Sequence, residues 1–287
     1  MTDMRTEMGP NEIPPLLDSS GTESEHATGV SRWRWWVHLA VLAAFPLIVG
    51  VTGLLRINRI RGPALPGTVP GLLIVCAFEA AFFGVLFGIA WIASRAGARQ
   101  LMLKWRGGGM PFVWGLGYSV ALRGGIAVVA MIGVTVWFAI SGAHASDLAR
   151  IQSHADRMVN PKAIVGNPAY LILLVTLVSF VVAGLREELW RAAMLAGIGT
   201  LFPRFFATLH GRVSAVLAVA LIFGMGHTAQ GFAGVVVTAL LGAGLGGIML
   251  RHRSIWEAVF AHGFFDASSF LLLYVIAKYS PGLLPQG

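Results

Sequence analysis

The chain has 287 residues, of which 56% are hydrophobic and only 12% are charged. A soluble domain has about 25% charged residues, so this composition argues against a soluble, disordered, collagen-like or nucleic-acid-binding protein. The single cysteine, Cys76, excludes an internal disulfide and a cysteine cluster for zinc or iron–sulfur. The net charge is +8, and the basic residues lie between apolar stretches of the chain. We therefore expect these basic residues to contact lipid headgroups.

Long apolar stretches follow a polar beginning of the chain. Residues 1–31 are rich in Glu, Ser, Thr and Pro, which predicts a flexible tail and no signal peptide. Because about 20 apolar residues cross a bilayer as a helix, we predict an all-α, polytopic membrane helix bundle of seven or eight helices, with eight preferred. The candidate spans are 35–55, 71–94, 113–140, 168–189, 191–202, 213–230, 232–250 and 255–277.

Two features of these spans affect the organisation of the bundle. The span 191–202 is short, so it is either re-entrant or a continuation of the span before it. Gly242 and Gly246 form a small-xxx-small pair, which predicts close helix packing. We divide the chain into the tail (1–31), N-terminal transmembrane helices (32–165), a later helical part (166–280) and a C-terminal tail (281–287).

Ionisable side chains inside a span cost about 2.5–3.5 kcal/mol each on insertion scales, so each needs an explanation. In the first half of the chain, Glu79 and Arg123 are isolated within their spans, and we interpret them as a mutual or interfacial pair. The second half carries ionisable groups on three separate spans. These are Gly184-Leu-Arg-Glu-Glu-Leu-Trp-Arg191, Phe223-Gly-Met-Gly-His227 and His262-Gly-Phe-Phe-Asp266.

The spacing of these groups predicts contacts along helical faces. Glu187 and Glu188 lie four and three residues before Arg191, so either can pair with it, and we predict that Glu187 does so within the bundle. His262 and Asp266 are also four residues apart, and a carboxylate at that spacing fixes the tautomer of an imidazole. Each motif alone fits a solvated helix end or a hydrogen-bonded packing histidine, but together they indicate one site.

The residue types restrict the chemistry of such a site. No Ser, Cys or Thr stands at a suggestive spacing from a histidine, so a covalent nucleophile is not indicated. A glutamate beside two histidines suits hydrolysis of a peptide bond by base-activated water, with histidines stabilising the oxyanion. Two histidines and a carboxylate are also a known ligand combination for a catalytic zinc ion. However, His-Glu-x-x-His is absent and Arg191 would repel a cation, so we expect no metal and no cofactor.

In their order, the three motifs resemble the CPBP family of glutamic intramembrane proteases. This family comprises type II CAAX prenyl endopeptidases, bacteriocin-processing enzymes and lysostaphin-resistance-like proteins. The segments 227–231 (HTAQG) and 251–256 (RHRSIW) also fit, and the resemblance extends over about 180–275. It implies an eight-helix bundle with a polar cavity formed by the later helices, which would then be the catalytic part of the chain.

The resemblance also implies residue roles in a metal-independent endopeptidase. Glu187 would be the base that activates water, and Glu188 would support it electrostatically. His227 and His262 would orient the water and stabilise the oxyanion. Asp266 would hold His262 or help to position the water.

Arg191 would add electrostatic support, but its spacing departs from the family pattern, which places three residues between the glutamate pair and the arginine. Counted from the glutamates, Arg191 comes one position early. Counted from Trp190 and Arg191, Glu187 falls on the second motif glutamate and Arg186 replaces the first, which would imply an altered or inactive site. The sequence leaves both registers open.

The expected partners are the lipid bilayer and a membrane-associated protein or peptide, with no nucleic acid. Arg and Gly usage and short loops favour a prokaryotic cell membrane, and hence a leader peptide over a prenylated CAAX end. Two alternatives remain at this stage. One is a non-catalytic scaffold or immunity-type family member, and the other is a proton-coupled transporter.

Overall fold

The computed structural model describes residues 30–56, 65–105, 107–142 and 158–283. Most of both predicted tails, 1–31 and 281–287, therefore lies outside the described residues. All regular secondary structure in the described ranges is helical. The helices are α1 (Arg32–Arg56), α2 (Val69–Ser94), α3 (Met110–Ser141), α4 (Pro161–Gly166), α5 (Pro168–Leu201), α6 (Pro203–Ala207), α7 (Leu209–Met225), α8 (Gly231–His252) and α9 (Trp256–Tyr279).

Six of the helices in the described part of the chain, α1, α2, α3, α5, α8 and α9, are long and apolar enough to cross a membrane. Helix α7 is a shorter apolar helix of 17 residues. The candidate span 191–202 continues the span before it as part of α5, so the described residues contain seven apolar helices. The protein is thus a polytopic membrane helix bundle, as the sequence predicts.

Side-chain caps fix where several helices begin. The hydroxyl of Thr68 accepts a hydrogen bond from a backbone N–H in the first turn of α2, and Thr208 does the same for α7. The amide oxygen of Asn167 accepts from the backbone N–H of Tyr170 at the start of α5. Such caps satisfy backbone donors that the first turn of a helix leaves free.

Helix α5 contains a long π-helical segment, Leu174–Leu185, between two α-helical parts. The hydroxyl of Ser179, which is fully buried, donates to the carbonyl of Leu174 five residues earlier, at 2.8 Å. π-Helical turns inside α-helices are frequent at functional sites. Here the segment ends directly before Arg186, the first residue of the charged motif.

The later helices form the interior of the bundle. Helix α9 packs against the π-helical segment of α5 and against α3, while α7 and α8 form a hairpin. One apolar core joins α1, α2, α5, α7, α8 and α9, and a second, smaller core joins α2 with the beginning of α5. The outer faces of α2 and α3 expose large apolar side chains, for example Phe78 and Val120, as a lipid-facing surface requires.

Candidate active site

A hydrogen bond between His262 and Glu188 joins α9 to α5 inside the bundle. The Nδ1 atom of His262 lies 2.9 Å from Oε1 of Glu188. Both residues are buried, with 3% and 0% of their surface exposed. Because a carboxylate accepts, Nδ1 carries the proton, which fixes the orientation of the imidazole ring.

Glu188 also forms an ion pair with Arg191, one turn further along α5. Arg191 is 1% exposed, so this pair is buried from solvent and lipid. The predicted pairing of Arg191 with Glu187 is therefore wrong. Arg191 pairs with the glutamate three residues before it because Glu188 and Arg191 both point into the bundle. Glu187 instead contacts Arg186 and faces Nε2 of His262.

The opposite edge of the imidazole faces two further carboxylates. Oε2 of Glu187 lies 3.7 Å from Nε2 of His262, and Oδ2 of Asp266 lies 3.8 Å from the same atom. The side chains of Glu187 and Asp266 are 15% and 28% exposed, in contrast to fully buried Glu188. Three carboxylates from two helices thus surround one histidine, and two of them retain access from outside the protein.

Phe223 connects the second histidine to this group. The rings of Phe223 and His227 are in contact, with their centroids 4.7 Å apart in an edge-to-face arrangement. His227 lies just beyond the end of α7 rather than within the predicted span 213–230, and its Nδ1–H donates to the Phe223 carbonyl at 3.0 Å. The Phe223 ring is also 6.3 Å from that of His262. All three motifs therefore meet at one place.

The glycines of α8 make room for the buried arginine. A Cβ atom on Gly242 would lie 3.0 Å from the Phe223 ring and 3.4 Å from the Arg191 guanidinium, and one on Gly246 would lie 3.6 Å from Cδ of Arg191. The guanidinium carbon also stands 4.6 Å from the centre of the Phe223 ring, a cation–π distance. The predicted small-residue pair, Gly242 and Gly246, therefore leaves space for the side chains of Arg191 and Phe223.

Sequence reasoning did not find the partner of Glu79. It predicts a mutual or interfacial pair with Arg123, but Glu79 instead accepts a hydrogen bond from Arg186 at 2.6 Å. Arg186 also donates to Oε1 of Glu187 at 2.9 Å, which connects α2 to the cluster. Arg123 donates to the Phe265 carbonyl on α9. The sequence offered one indication that Glu79 has a partner, namely that a charged side chain stands inside an apolar span.

A polar cavity remains a prediction. The structure has a groove of about 340 Å³ between α3 and α8, but it is lined by residues such as Leu122, Ile126 and Leu240 and does not include the cluster. Within the described ranges, no group of three or more His, Cys, Asp or Glu side chains is arranged to hold a metal ion.

Comparison with family models identifies a related family. Residues 168–268 match the family model described as "Type II CAAX prenyl endopeptidase Rce1-like". The match begins with α5 and ends just after Asp266, so it contains all three motifs. No curated protein and no solved structure matches the chain.

Proposed function

We propose that this membrane protein, whose residues 168–268 form an Rce1-like type II CAAX prenyl endopeptidase domain, hydrolyses a peptide bond with water activated by Glu187. The domain is that of an intramembrane endopeptidase in general. The glutamate mechanism, the residue roles and the substrate described below are our proposal.

The observation that carries the proposal is the arrangement around Nε2 of His262. Glu187 and Asp266 each stand 3.7–3.8 Å from this atom, which is too long for a direct hydrogen bond and suits a water molecule held among the three groups. The hydrogen bond from Nδ1 to Glu188 keeps the ring in place. A water held in this way faces both a carboxylate base and an imidazole.

The reaction that follows needs no covalent enzyme intermediate. Glu187 takes a proton from the water while the oxygen of that water forms a bond to the carbonyl carbon of the substrate. The tetrahedral oxyanion accepts hydrogen bonds from the Nε2–H groups of the two histidines in their charged form, because His227 already donates its Nδ1–H to Phe223 and His262 donates its Nδ1–H to Glu188. The C–N bond then breaks, and the proton held by Glu187 passes to the leaving amine.

Glu187 is the better base of the two glutamates because Glu188 is already engaged. Glu188 binds both Arg191 and His262 and is fully buried. Both contacts are made by Oε1, and because the whole side chain is enclosed, no oxygen of Glu188 is exposed to take a proton from a water. Glu187 keeps one oxygen, Oε2, directed at the histidine.

Metal independence is supported by the charges around the glutamates. Arg186 donates to Glu187, and Arg191 pairs with Glu188, so each carboxylate already has a cationic partner. A divalent cation bound by these glutamates would stand next to both guanidinium groups, and like charges repel at such distances. We therefore propose that water is activated by the carboxylate alone.

A membrane-associated protein or peptide is the expected substrate class, because the proposed base lies in the middle of a membrane-crossing helix. Within that class we favour a leader peptide in a prokaryotic cell membrane. The domain also makes a prenylated CAAX end a suitable probe. These finer assignments rest on the domain match and on composition.

The test is a cleavage assay with the purified full chain in detergent and in proteoliposomes. The probes are a quenched fluorescent farnesylated CAAX peptide, its unprenylated twin and a hydrophobic leader peptide. We expect cleavage of at least one probe at a single bond, identified by mass spectrometry, with the same rate in EDTA or 1,10-phenanthroline. Loss of activity in chelator, restored by added Zn²⁺, would contradict the mechanism.

Absence of cleavage of all probes would favour a non-catalytic scaffold. Substrate-dependent proton flux in the same proteoliposomes, lost in Glu187→Gln, would favour a transporter. His227→Ala and His262→Ala serve as comparison variants in each assay. Identical behaviour of the wild type and these variants would overturn the enzyme interpretation.

A further inference from the structure

A chain of three charged side chains leads from the lipid-facing helix α2 to the proposed base. Nη1 of Arg186 donates to Oε2 of Glu79 at 2.6 Å, and Nη2 donates to Oε1 of Glu187 at 2.9 Å. The side chain of Arg186 is 16% exposed and that of Glu79 is 39% exposed. Arg186 is thus held between two carboxylates, one from α2 and one from the site.

Packing alone does not explain an acid at position 79. On the same face of α2, Cys76 lies one turn before Glu79 and belongs to the smaller core, and Phe83 lies one turn after it and belongs to the larger core. An apolar side chain at position 79 would continue this stripe. This ion pair is only partly buried, and even a fully buried ion pair can often be replaced by apolar residues without loss of stability, so stability does not require Glu79 and Arg186.

The geometry gives these two residues a task at the site. The guanidinium group is planar, and its two terminal nitrogens point in fixed directions. When Glu79 holds Nη1, Nη2 is fixed on Oε1 of Glu187, and the second oxygen of that carboxylate is left directed at His262. Glu79 also balances the charge of Arg186, so that Glu187 does not have to neutralise the guanidinium alone.

We infer that Glu79 and Arg186 are positioning residues that set the orientation of Glu187 during catalysis. The inference rests on the proposed function, in which Glu187 is the base. Neither residue touches the substrate in this account. Their effect is exerted on kcat through the placement of one carboxylate oxygen.

The kinetic test compares Glu79→Gln, Glu79→Asp and the apolar double variant Glu79→Leu/Arg186→Leu with the wild type. Because misplacement of a catalytic group by about 1 Å can cost on the order of 100-fold, we expect kcat to fall roughly 10- to 100-fold in Glu79→Gln and in the double variant. KM should stay within about twofold, since the pair does not bind substrate. Glu79→Asp, which keeps the charge, should retain more activity than Glu79→Gln.

Thermal unfolding in detergent separates positioning from a structural role. The double variant should unfold at or above the wild-type temperature while its kcat is low. Wild-type kcat in the double variant would overturn the inference. The inference would also be overturned if kcat fell in every variant in proportion to a fall in its unfolding temperature.

A second measurement does not depend on peptidase activity. Dicyclohexylcarbodiimide modifies protonated carboxyl groups inside membranes, and peptide mapping measures the rate at Glu187. We expect Arg186→Gln to raise that rate about tenfold, because the loss of one charged hydrogen-bond partner removes about 1.4 kcal/mol or more. Arg251→Gln, at an exposed helix end, is the matched control and should leave it unchanged.

These two measurements separate the failure of the inference from that of the proposed function. If the wild type cleaves none of the probes but Arg186→Gln accelerates labelling of Glu187, the contact is upheld and the peptidase assignment fails. If the wild type cleaves a probe and Arg186→Gln changes neither labelling nor kcat, the positioning role is refuted.

Discussion

His262 of α9 and Glu188 of α5 are 74 residues apart in sequence and are joined by a 2.9 Å hydrogen bond that is buried within the bundle. This contact brings the first and the last charged motif together. It also divides the carboxylates into two kinds. Glu188 is enclosed and binds the ring, while Glu187 is partly exposed on the other edge of the same ring.

Arg191→Ala tests the buried ion pair. The change leaves Glu188 without its guanidinium partner in the interior, and breaking a buried pair costs about 3–5 kcal/mol. We expect a loss of that size in the free energy of unfolding, measured by denaturant titration in detergent. Arg251→Ala, at the exposed end of α8, is the matched control and should change it little. Equal stability of the two variants would show that the Arg191 pair is solvated.

Gly242→Val tests the close approach of α8 to Arg191 and Phe223. The added side chain would meet both of these buried groups, and overpacking typically costs about 1–3 kcal/mol. Gly247→Val is a suitable control because a Cβ atom there meets nothing within 4 Å, while the change in helix propensity is the same. We expect a clear fall in thermal stability only for Gly242→Val. Similar melting curves for both variants would contradict the packing described here.

His227→Ala tests the proposed oxyanion donor. Loss of one such donor costs about 10²–10³ in kcat, and we expect a fall of that size with KM little changed. His227 is only partly buried and lies in the turn after α7, so stability should be nearly unaffected. Steady-state kinetics on a cleaved probe give both constants. A variant with wild-type kcat would remove His227 from the mechanism.

The sequence predicts much of this architecture because lipid imposes simple rules on it. Apolar stretches of the right length predict the helices, and the cost of charge in hydrocarbon marks Glu187, His262 and Asp266 as residues that need partners. The continuity of α5 through Leu189 and Trp190 was one of two open possibilities. Periodicity alone does not separate one long helix from two shorter ones when no break residue stands between them.

The partners of the charges were harder to predict. The prediction that Arg191 pairs with Glu187 used helical spacing, but three- and four-residue spacings are nearly equivalent on an α-helix. Which glutamate pairs with Arg191 depends on how this part of α5 is rotated about its axis. The π-helical segment Leu174–Leu185, directly before the motif, changes that rotation, and nothing in the sequence indicated the segment. Glu79 and Arg186 are 107 residues apart in the chain, so only the folded structure reveals their contact.

The measurement that tests the account most directly is the turnover rate of Glu187→Gln. General base catalysis contributes about 10²–10⁴-fold, so we predict a loss of kcat in that range for a probe that the wild type cleaves. The melting temperature should stay close to that of the wild type, because the amide oxygen of the substituted side chain would still accept a hydrogen bond from Arg186. Turnover of a correctly folded Glu187→Gln protein at the wild-type rate would contradict the central claim that this carboxylate activates the water.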